Sequence, residues 1–252
     1  MQTAAASLHF FESDAEIFSL RKKNKRETRR KKEAANFSLL SVDPITDNQR
    51  KTFEAYNNGK NLMLHGVAGT GKSFISLYLA LESTLTGKIN KPVVIIRSVV
   101  PTRDIGFLPG SMEEKISVYE QPYYAMASEL FGYKNAYDDL KKRGFVEFAT
   151  TSFLRGLTFH NNIIVVDECQ NLSFAELDTV MTRVGTGCRI IFCGDFRQSD
   201  LYKHNEREGL KKFMSVIDRM NSFQLIEFSK EDIVRSALVR EYIEAKLEEG
   251  IV

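Results

Sequence analysis

Short, almost wholly apolar segments alternate with longer amphipathic segments along this chain. Runs of β-branched residues, such as PVVIIR at 92–97 and IIVVD at 163–167, are typical of strands buried on both faces of a sheet. The pattern predicts strands at 61–65, 92–97, 146–150, 163–167, 189–193 and 223–228, and helices at 74–85, 113–130, 173–183 and 208–220. Such alternation predicts the α/β class, with a parallel sheet covered by helices on both faces.

The first 36 residues differ in character from the rest of the chain. Residues 21–32, RKKNKRETRRKK, carry nine Lys or Arg and one Glu, a charge of +8, which leaves −6 for the other 240 residues against a net charge of +2. We predict an appendage over residues 1–36 and one α/β domain over residues 37–252. The basic block is either a solvated segment or a contact for nucleic-acid phosphates, and the sequence leaves both open.

Three features of the sequence bear on the cellular compartment in which the protein is expected. No apolar run approaches the roughly 18 residues that a membrane-spanning helix needs. The N-terminal residues lack the basic and then apolar regions of a secretory signal. Cys169, Cys188 and Cys193 show no metal-ligand spacing and suit a reducing compartment. We therefore expect a cytoplasmic protein with no membrane partner.

A glycine-rich segment follows the first predicted strand. It matches the phosphate-loop pattern G-x-x-x-x-G-K-[ST] at each fixed position. Backbone N–H groups and the positive end of the next helix can face phosphates there. We expect Lys72 to reach the β- and γ-phosphates and Ser73 to bind Mg²⁺. The predicted phosphate-binding residues are Gly66, Val67, Ala68, Gly69, Thr70, Gly71, Lys72, Ser73 and Phe74.

Two acidic residues end the strand at 163–167. The carboxyl ends of strands are where open α/β sheets bind ligands, so Asp167 and Glu168 are expected beside the phosphate loop. We predict that Asp167 holds Mg²⁺ through a water, and that Glu168 orients or deprotonates the attacking water.

A third polar segment, CGDFRQ at 193–198, follows another buried strand. A side chain here can contact the γ-phosphate and register its loss, and Gln198 is the predicted sensor. An ordinary Gly-Asp turn is the alternative interpretation.

These three segments together resemble those of the PhoH-like ATPases, relatives of superfamily 1 helicases. The stretches GFLPG at 106–110, LRGLT at 154–158 and DIVRS at 232–236 strengthen the resemblance, which covers roughly residues 44–240. Cys169 stands where the family usually has Ala, and Ser73 stands where it usually has Thr. The nuclease domain that some members carry is not part of the match.

The resemblance implies a RecA-like P-loop core that hydrolyses ATP with Mg²⁺. The segment PITDNQ at 44–49 resembles the helicase Q-motif, in which Gln49, with Tyr56, would select adenine. The alternative is that Thr46 and Gln49 form a capping box at the start of a helix.

The resemblance also implies RNA or single-stranded DNA as a partner. Arg97, Arg103 and Phe107 follow the second predicted strand, where helicase relatives contact the nucleic acid, and Phe107 would stack on a base. A packing role for Phe107 in a rigid Pro-Gly turn is the alternative.

One RecA-like core leaves the transition state without the arginine that helicases supply from a second core. We therefore predict that a neighbouring subunit supplies it in trans within a homo-oligomeric ring, most simply a hexamer. Arg235 is the leading candidate, followed by Arg155 and Arg197.

The sequence leaves three functions open. The favoured one is an ATPase coupled to nucleic-acid binding, remodelling or unwinding. A small-molecule kinase would need a substrate acid and lid arginines in place of DE-x-Q-N and GD-x-x-Q. A nucleic-acid-binding protein that uses ATP as an assembly switch, with little turnover, is the third.

Overall fold

The computed structural model describes residues 33–34, 36–87, 92–98, 112–154, 156–195 and 204–250. The basic block at 21–32 lies outside the described residues, as does most of the predicted appendage. Ala34 is already buried with the core, and Phe37 and Leu39 pack against it. The division between residues 36 and 37 stays a prediction.

A six-stranded parallel sheet forms the centre of the domain. Its strands are β1 (Asn61–Gly66), β2 (Val93–Arg97), β3 (Val146–Thr150), β4 (Ile163–Asp167), β5 (Arg189–Gly194) and β6 (Phe223–Phe228). Their spatial order is β3-β2-β4-β5-β1-β6, and each pairing is parallel. The α/β class is confirmed, and each predicted strand is present with ends that differ by at most one residue.

Seven helices of four or more residues connect and cover these strands in the described part of the chain. They are α1 (Asp47–Asn57), α2 (Lys72–Leu85), α3 (Met112–Phe131), α4 (Ala136–Lys142), α5 (Phe174–Thr182), α6 (His204–Asp218) and α7 (Ala237–Glu248). None of the helices in the described residues is long and apolar enough to cross a membrane.

The strand sequences explain where each strand lies in the sheet. Every residue of β4 is buried because helices pack on both faces of the central strands. The outer strand β6, FQLIEF, instead shows polar residues at exposed positions, as expected at a sheet edge. Two apolar clusters result, and successive residues such as Met63 and Leu64 belong to opposite ones.

The strand order also determines which loops meet. Strand β5 lies between β1 and β4, with His65 opposite Gly194 and Val166 opposite Phe192. Because the strands are parallel, the segments that follow β1, β4 and β5 leave the same edge of the sheet side by side. The three segments that carry the predicted chemistry are thus brought together.

The helix predictions were less complete than the strand predictions. The four predicted helices exist, but α2 begins two residues earlier, at Lys72, and α6 begins four residues earlier, at His204. Helix α1 was foreseen only as the alternative interpretation of Thr46 and Gln49, and helices α4 and α7 were not predicted. Helix α4 has only seven residues, and no residue of α7, which the structure describes in full, is buried. Helix α4 is too short to present a long apolar stripe, whereas Val239, Ile243 and Leu247 do recur at helical spacing along α7.

Candidate active site

The phosphate loop turns sharply between β1 and α2. Gly66 has φ 118°, and a Cβ placed on it would lie 1.9 Å from the carbonyl oxygen of Phe228. Only glycine fits this position. Gly71, with φ 83°, is the N-cap residue of α2 and has no side chain with which to cap it. The N–H groups of the first helical turn are therefore available to an anion, as the sequence predicts.

The Lys72 side chain folds back over this loop. Its Nζ donates to the carbonyl oxygens of Gly66 at 2.9 Å and Val67 at 2.7 Å, and to Thr70 Oγ1 at 3.2 Å. Burial lowers the pKa of Lys72, while the negative charge of Asp195 acts in the opposite direction. The ammonium group is thus held by carbonyl and hydroxyl oxygens that phosphate oxygens can replace.

Asp167, at the end of β4, is bound at both carboxylate oxygens. Ser73 Oγ donates to Oδ1 at 2.6 Å, and Tyr123 Oη donates to Oδ2 at 2.7 Å. The structure thereby brings together the two predicted Mg²⁺ ligands, a hydroxyl and a carboxylate, which are the hard oxygen donors this ion requires. Tyr123 was not predicted, because an interaction across 44 residues leaves no local sequence pattern.

The Tyr123 hydroxyl stays protonated beside this carboxylate. Burial raises its pKa well above the ordinary value, and the charge of Asp167 raises it further. It is consequently a hydrogen-bond donor at any physiological pH.

Glu168 has an unusual backbone conformation. Its φ of 51° lies in the left-handed region, which non-glycine residues seldom occupy. Its Oε2 accepts a 2.5 Å hydrogen bond from Gln170 Nε2, and its Oε1 lies 3.9 Å from an Arg97 guanidinium nitrogen. The carboxylate is half-exposed, which leaves it accessible to water.

Gln170 joins this segment to the end of β5. Its Oε1 accepts from the backbone N–H of Asp195 at 3.1 Å, while its Nε2 donates to Glu168. A Cβ on Gly194 would lie 2.5 Å from the same Oε1, so a larger residue there would displace the Gln170 amide. Gln170 is part of the DE-x-Q-N segment but had no predicted role. The predicted sensor, Gln198, lies outside the described residues.

Gln49 contacts the phosphate loop directly. Its Nε2 donates to the Thr70 carbonyl oxygen at 3.2 Å, and its Oε1 accepts from the Ile45 N–H at 2.9 Å. Thr46 Oγ1 accepts from the Gln49 N–H at 3.3 Å. The N-cap half of the predicted capping box is present, but the Gln49 side chain bonds Ile45 instead of completing the box at Thr46.

The predicted pairing of Tyr56 with Gln49 at the adenine is wrong. Tyr56 lies seven residues further along α1, about 10 Å along its axis. The Arg189 guanidinium stacks 3.7 Å from the centre of the Tyr56 ring, at the amino-terminal end of β5. The phosphate loop lies at the carboxyl end of the neighbouring strand. Tyr56 therefore supports the core at the opposite edge of the sheet.

Arg235 lies against the phosphate loop of its own chain. A Cβ on Gly69 would be 3.0 Å from Arg235 Cγ and 3.5 Å from its Nε, and the Val234 N–H donates to the Gly69 carbonyl oxygen at 3.0 Å. The role of Arg235 in trans stays a prediction. Four other predicted residues lie outside the described part of the chain, namely Arg103, Phe107, Arg155 and Arg197.

A buried carboxylate holds the segment around Arg235 in place. Asp232 accepts from Asn48 Nδ2 at 2.7 Å, and from the N–H and Oγ of Ser229 at 2.9 and 3.2 Å. Burial alone would raise the pKa of Asp232, but hydrogen bonds from Thr46, Asn48 and Ser229 together lower it below its ordinary value. Helix α1 and the segment after β6 are thus tied together beside the phosphate loop.

Comparison with known proteins finds a protein family and individual proteins whose sequences are similar to this chain. The profile of the family described as PhoH-like protein matches residues 41–246. A PhoH-like protein of Bacillus subtilis (strain 168) is 31% identical over 205 residues, which cover 81% of this chain and 64% of that protein. Protein PhoH of Escherichia coli (strain K12) is 32% identical over 181 residues, which cover 71% of this chain and 51% of that protein. The chain thus spans about half to two thirds of the length of these relatives.

Solved structures offer a more distant likeness. The large terminase from a thermophilic bacteriophage, in complex with ADP, aligns with a TM-score of 0.46 and 12% identity over 80% of this chain and 50% of that one. A likeness at this level supports no inference about function.

Proposed function

The chain belongs to the PhoH-like protein family, and on that premise we propose that it is a Mg²⁺-dependent ATPase whose hydrolysis is coupled to RNA or single-stranded DNA. One observation carries the proposal. The hydroxyl of Ser73, the last residue of the phosphate-loop pattern, bonds the Asp167 carboxylate at 2.6 Å. A hydroxyl and a carboxylate are oxygen donors of the kind that Mg²⁺ binds together with phosphates and waters, and these two meet beside an uncapped helix terminus.

The phosphates would be bound by the loop itself. N–H groups of the first turn of α2 face them, and Lys72 exchanges the carbonyl oxygens of Gly66 and Val67 for oxygens of the β- and γ-phosphates. Gln49 lies beside the same loop, but its amide already bonds Thr70 and Ile45, so reading the adenine edge would require it to exchange these two hydrogen bonds for bonds to the base. Ser73 and Asp167 would hold Mg²⁺, which neutralises charge on the phosphate oxygens.

Glu168 would orient the attacking water and accept its proton. Two neighbours fix the carboxylate, Gln170 at Oε2 and Arg97 near Oε1. The left-handed backbone at Glu168 supports this assignment, because such strain persists where a site holds a residue in place. Gln170 also bonds the Asp195 amide, so a movement in the segment after β5 would reach Glu168 directly.

Coupling to a nucleic acid is the finer part of the proposal. It is supported by the position of Arg97, which ends β2 directly opposite Asp167 and contacts Glu168. A strand bound near Arg97 would therefore influence the residue that orients the water. A neighbouring subunit in a hexameric ring would complete the charge stabilisation through Arg235.

Steady-state ATP hydrolysis by the full chain tests the proposal. Turnover is measured with and without Mg²⁺, and with single-stranded RNA or DNA added, with Lys72→Ala as the control. We expect Mg²⁺-dependent turnover that one polymer stimulates and that Lys72→Ala reduces to background. Turnover that survives in Lys72→Ala would contradict the assigned site. Tight ATP binding without turnover would favour the assembly switch, and phosphate transfer to an added acceptor would favour a kinase.

A further inference from the structure

Helix α3 contributes one buried hydroxyl to the carboxylate that ends β4. Tyr123 Oη lies 2.7 Å from Asp167 Oδ2, and Ser73 Oγ lies 2.6 Å from Oδ1. The two hydroxyls reach the carboxylate from different helices, and each donates to a different oxygen. Together they fix the rotation of the planar Asp167 carboxylate, because each of its two oxygens accepts its own hydrogen bond.

The aromatic core fixes the Tyr123 ring. Tyr123 is 1% exposed. Its ring stacks on Tyr137, with centroids 6.3 Å apart and planes inclined by 24°, and it also packs against Phe148, with centroids 5.8 Å apart. A ring enclosed in a close-packed interior cannot turn its hydroxyl away without displacing its neighbours. The hydroxyl is therefore directed at Asp167 before any ligand binds.

A neighbouring tyrosine shows that burial alone does not require this contact. Tyr137 is fully buried in the same aromatic cluster, and its hydroxyl has no hydrogen-bond partner among the residues the structure describes. The cluster thus accommodates a tyrosine hydroxyl without a partner. The bond from Tyr123 to Asp167 needs an explanation beyond the general cost of burying a polar group.

We propose that Tyr123 is a positioning residue for the Mg²⁺ site, acting through Asp167. By holding Oδ2, it keeps Oδ1 directed at Ser73 and at the metal or its bound water. The inference rests on the proposed function, in which Asp167 serves Mg²⁺. Partners behind a metal-binding side chain set its orientation, and their loss typically weakens metal affinity or activity about 10- to 100-fold.

A magnesium titration tests this role without relying on turnover. Binding of a fluorescent ADP analogue to the full chain is followed as Mg²⁺ is added, for the wild type, Tyr123→Phe and Tyr137→Phe. We expect the half-saturating Mg²⁺ concentration to rise about 10- to 100-fold in Tyr123→Phe and to stay at the wild-type value in Tyr137→Phe. The control removes an equally buried hydroxyl from the same cluster without touching Asp167.

The outcomes separate this inference from the function on which it rests. If Mg²⁺ has no effect on analogue binding in the wild type, the metal role of the site is wrong, and the inference is wrong with it. If the wild type depends on Mg²⁺ and Tyr123→Phe titrates like Tyr137→Phe, the positioning role alone is refuted.

A second pair of variants separates the hydrogen bond from ring packing, and serves also if Tyr123→Phe does not fold. Incorporation of 4-aminophenylalanine at position 123 restores an N–H donor on the same ring, whereas 4-methylphenylalanine fills a similar volume without one. We expect the amino variant to titrate close to the wild type and the methyl variant to need more Mg²⁺. Equal midpoints for the two would overturn the proposal.

Discussion

Replacing Gly66 with alanine should destabilise the whole domain as well as the phosphate loop. The new Cβ would lie 1.9 Å from the Phe228 carbonyl oxygen, and Gly66 is paired with Phe228 in the sheet, so neither backbone can withdraw. The φ of 118° adds strain, because side chains with a Cβ avoid that region. Both effects act on the folded state.

The expected loss follows from these two causes. An unfavourable φ costs about 1–3 kcal/mol, and forcing an extra carbon into a packed site costs about 1–3 kcal/mol. The sum, about 2–6 kcal/mol, is a large part of the roughly 5–15 kcal/mol that stabilises a typical domain. Nucleotide binding should be lost as well, because the loop begins at this residue.

Equilibrium unfolding in urea, followed by circular dichroism, measures this loss against a matched control. Gly59 has φ 83°, but among the described residues nothing lies within 4 Å of a Cβ placed on it. Gly59→Ala therefore reports the strain without the collision. We expect Gly66→Ala to lose at least about 1 kcal/mol more than Gly59→Ala, the low end of the overpacking cost. Equal losses in the two variants would refute the argument from close approach.

Three further predictions concern the surroundings of the site. Because the folded-state pKa of Asp232 is lowered, its contribution to stability is complete above the unfolded-state pKa and is lost as the pH falls through the folded-state pKa. Asp232→Asn should therefore be less stable than the wild type at about pH 7, and its stability should fall less steeply on the acid side of a pH–stability curve. An unchanged curve would contradict this. Gln170→Leu should lower ATP turnover and cost about 1–3 kcal/mol of stability, because the hydrogen bonds to the half-exposed Glu168 and from the Asp195 N–H are both lost. Urea unfolding and a turnover assay measure the two effects, and unchanged turnover would separate Gln170 from the site. Arg235→Ala should bind ATP but hydrolyse it slowly. If Arg235 acts in trans, mixing this variant with Lys72→Ala should restore turnover, because each mixed pair contains one site with both residues. A mixture without activity would show that Arg235 serves the phosphate loop of its own chain, against which it lies.

The strands and the phosphate loop could be predicted from the sequence because each depends on a pattern of adjacent residues. Continuous apolar runs located the six strands because strands buried on both faces tolerate little else. The phosphate-loop pattern located Lys72 and Ser73 because the turn needs glycine at fixed positions. The pairing of Ser73 with Asp167 followed from the rule that parallel strands end at a common edge.

The remaining contacts depend on tertiary packing. Tyr123 lies on a helix whose apolar residues follow the usual spacing, so nothing in the sequence indicates that this ring, and not that of Tyr137, reaches Asp167. Tyr56 was assigned to the adenine, with Gln49, on the resemblance to the helicase Q-motif, yet α1 carries it to the other edge of the sheet. Helix α7 was missed although its apolar residues, such as Leu238 and Tyr242, stand one helical turn apart; in the structure both are exposed.

The central claim is that Glu168, beside the Ser73–Asp167 pair, activates water for hydrolysis of ATP bound at the phosphate loop. Parallel measurement of ATP affinity and single-turnover hydrolysis for the wild type and Glu168→Gln tests it most directly. The account predicts that Glu168→Gln binds ATP as the wild type does and hydrolyses it about 10²- to 10⁴-fold more slowly, the usual contribution of a general base. Equal hydrolysis rates in the two proteins, at equal affinity, would contradict it.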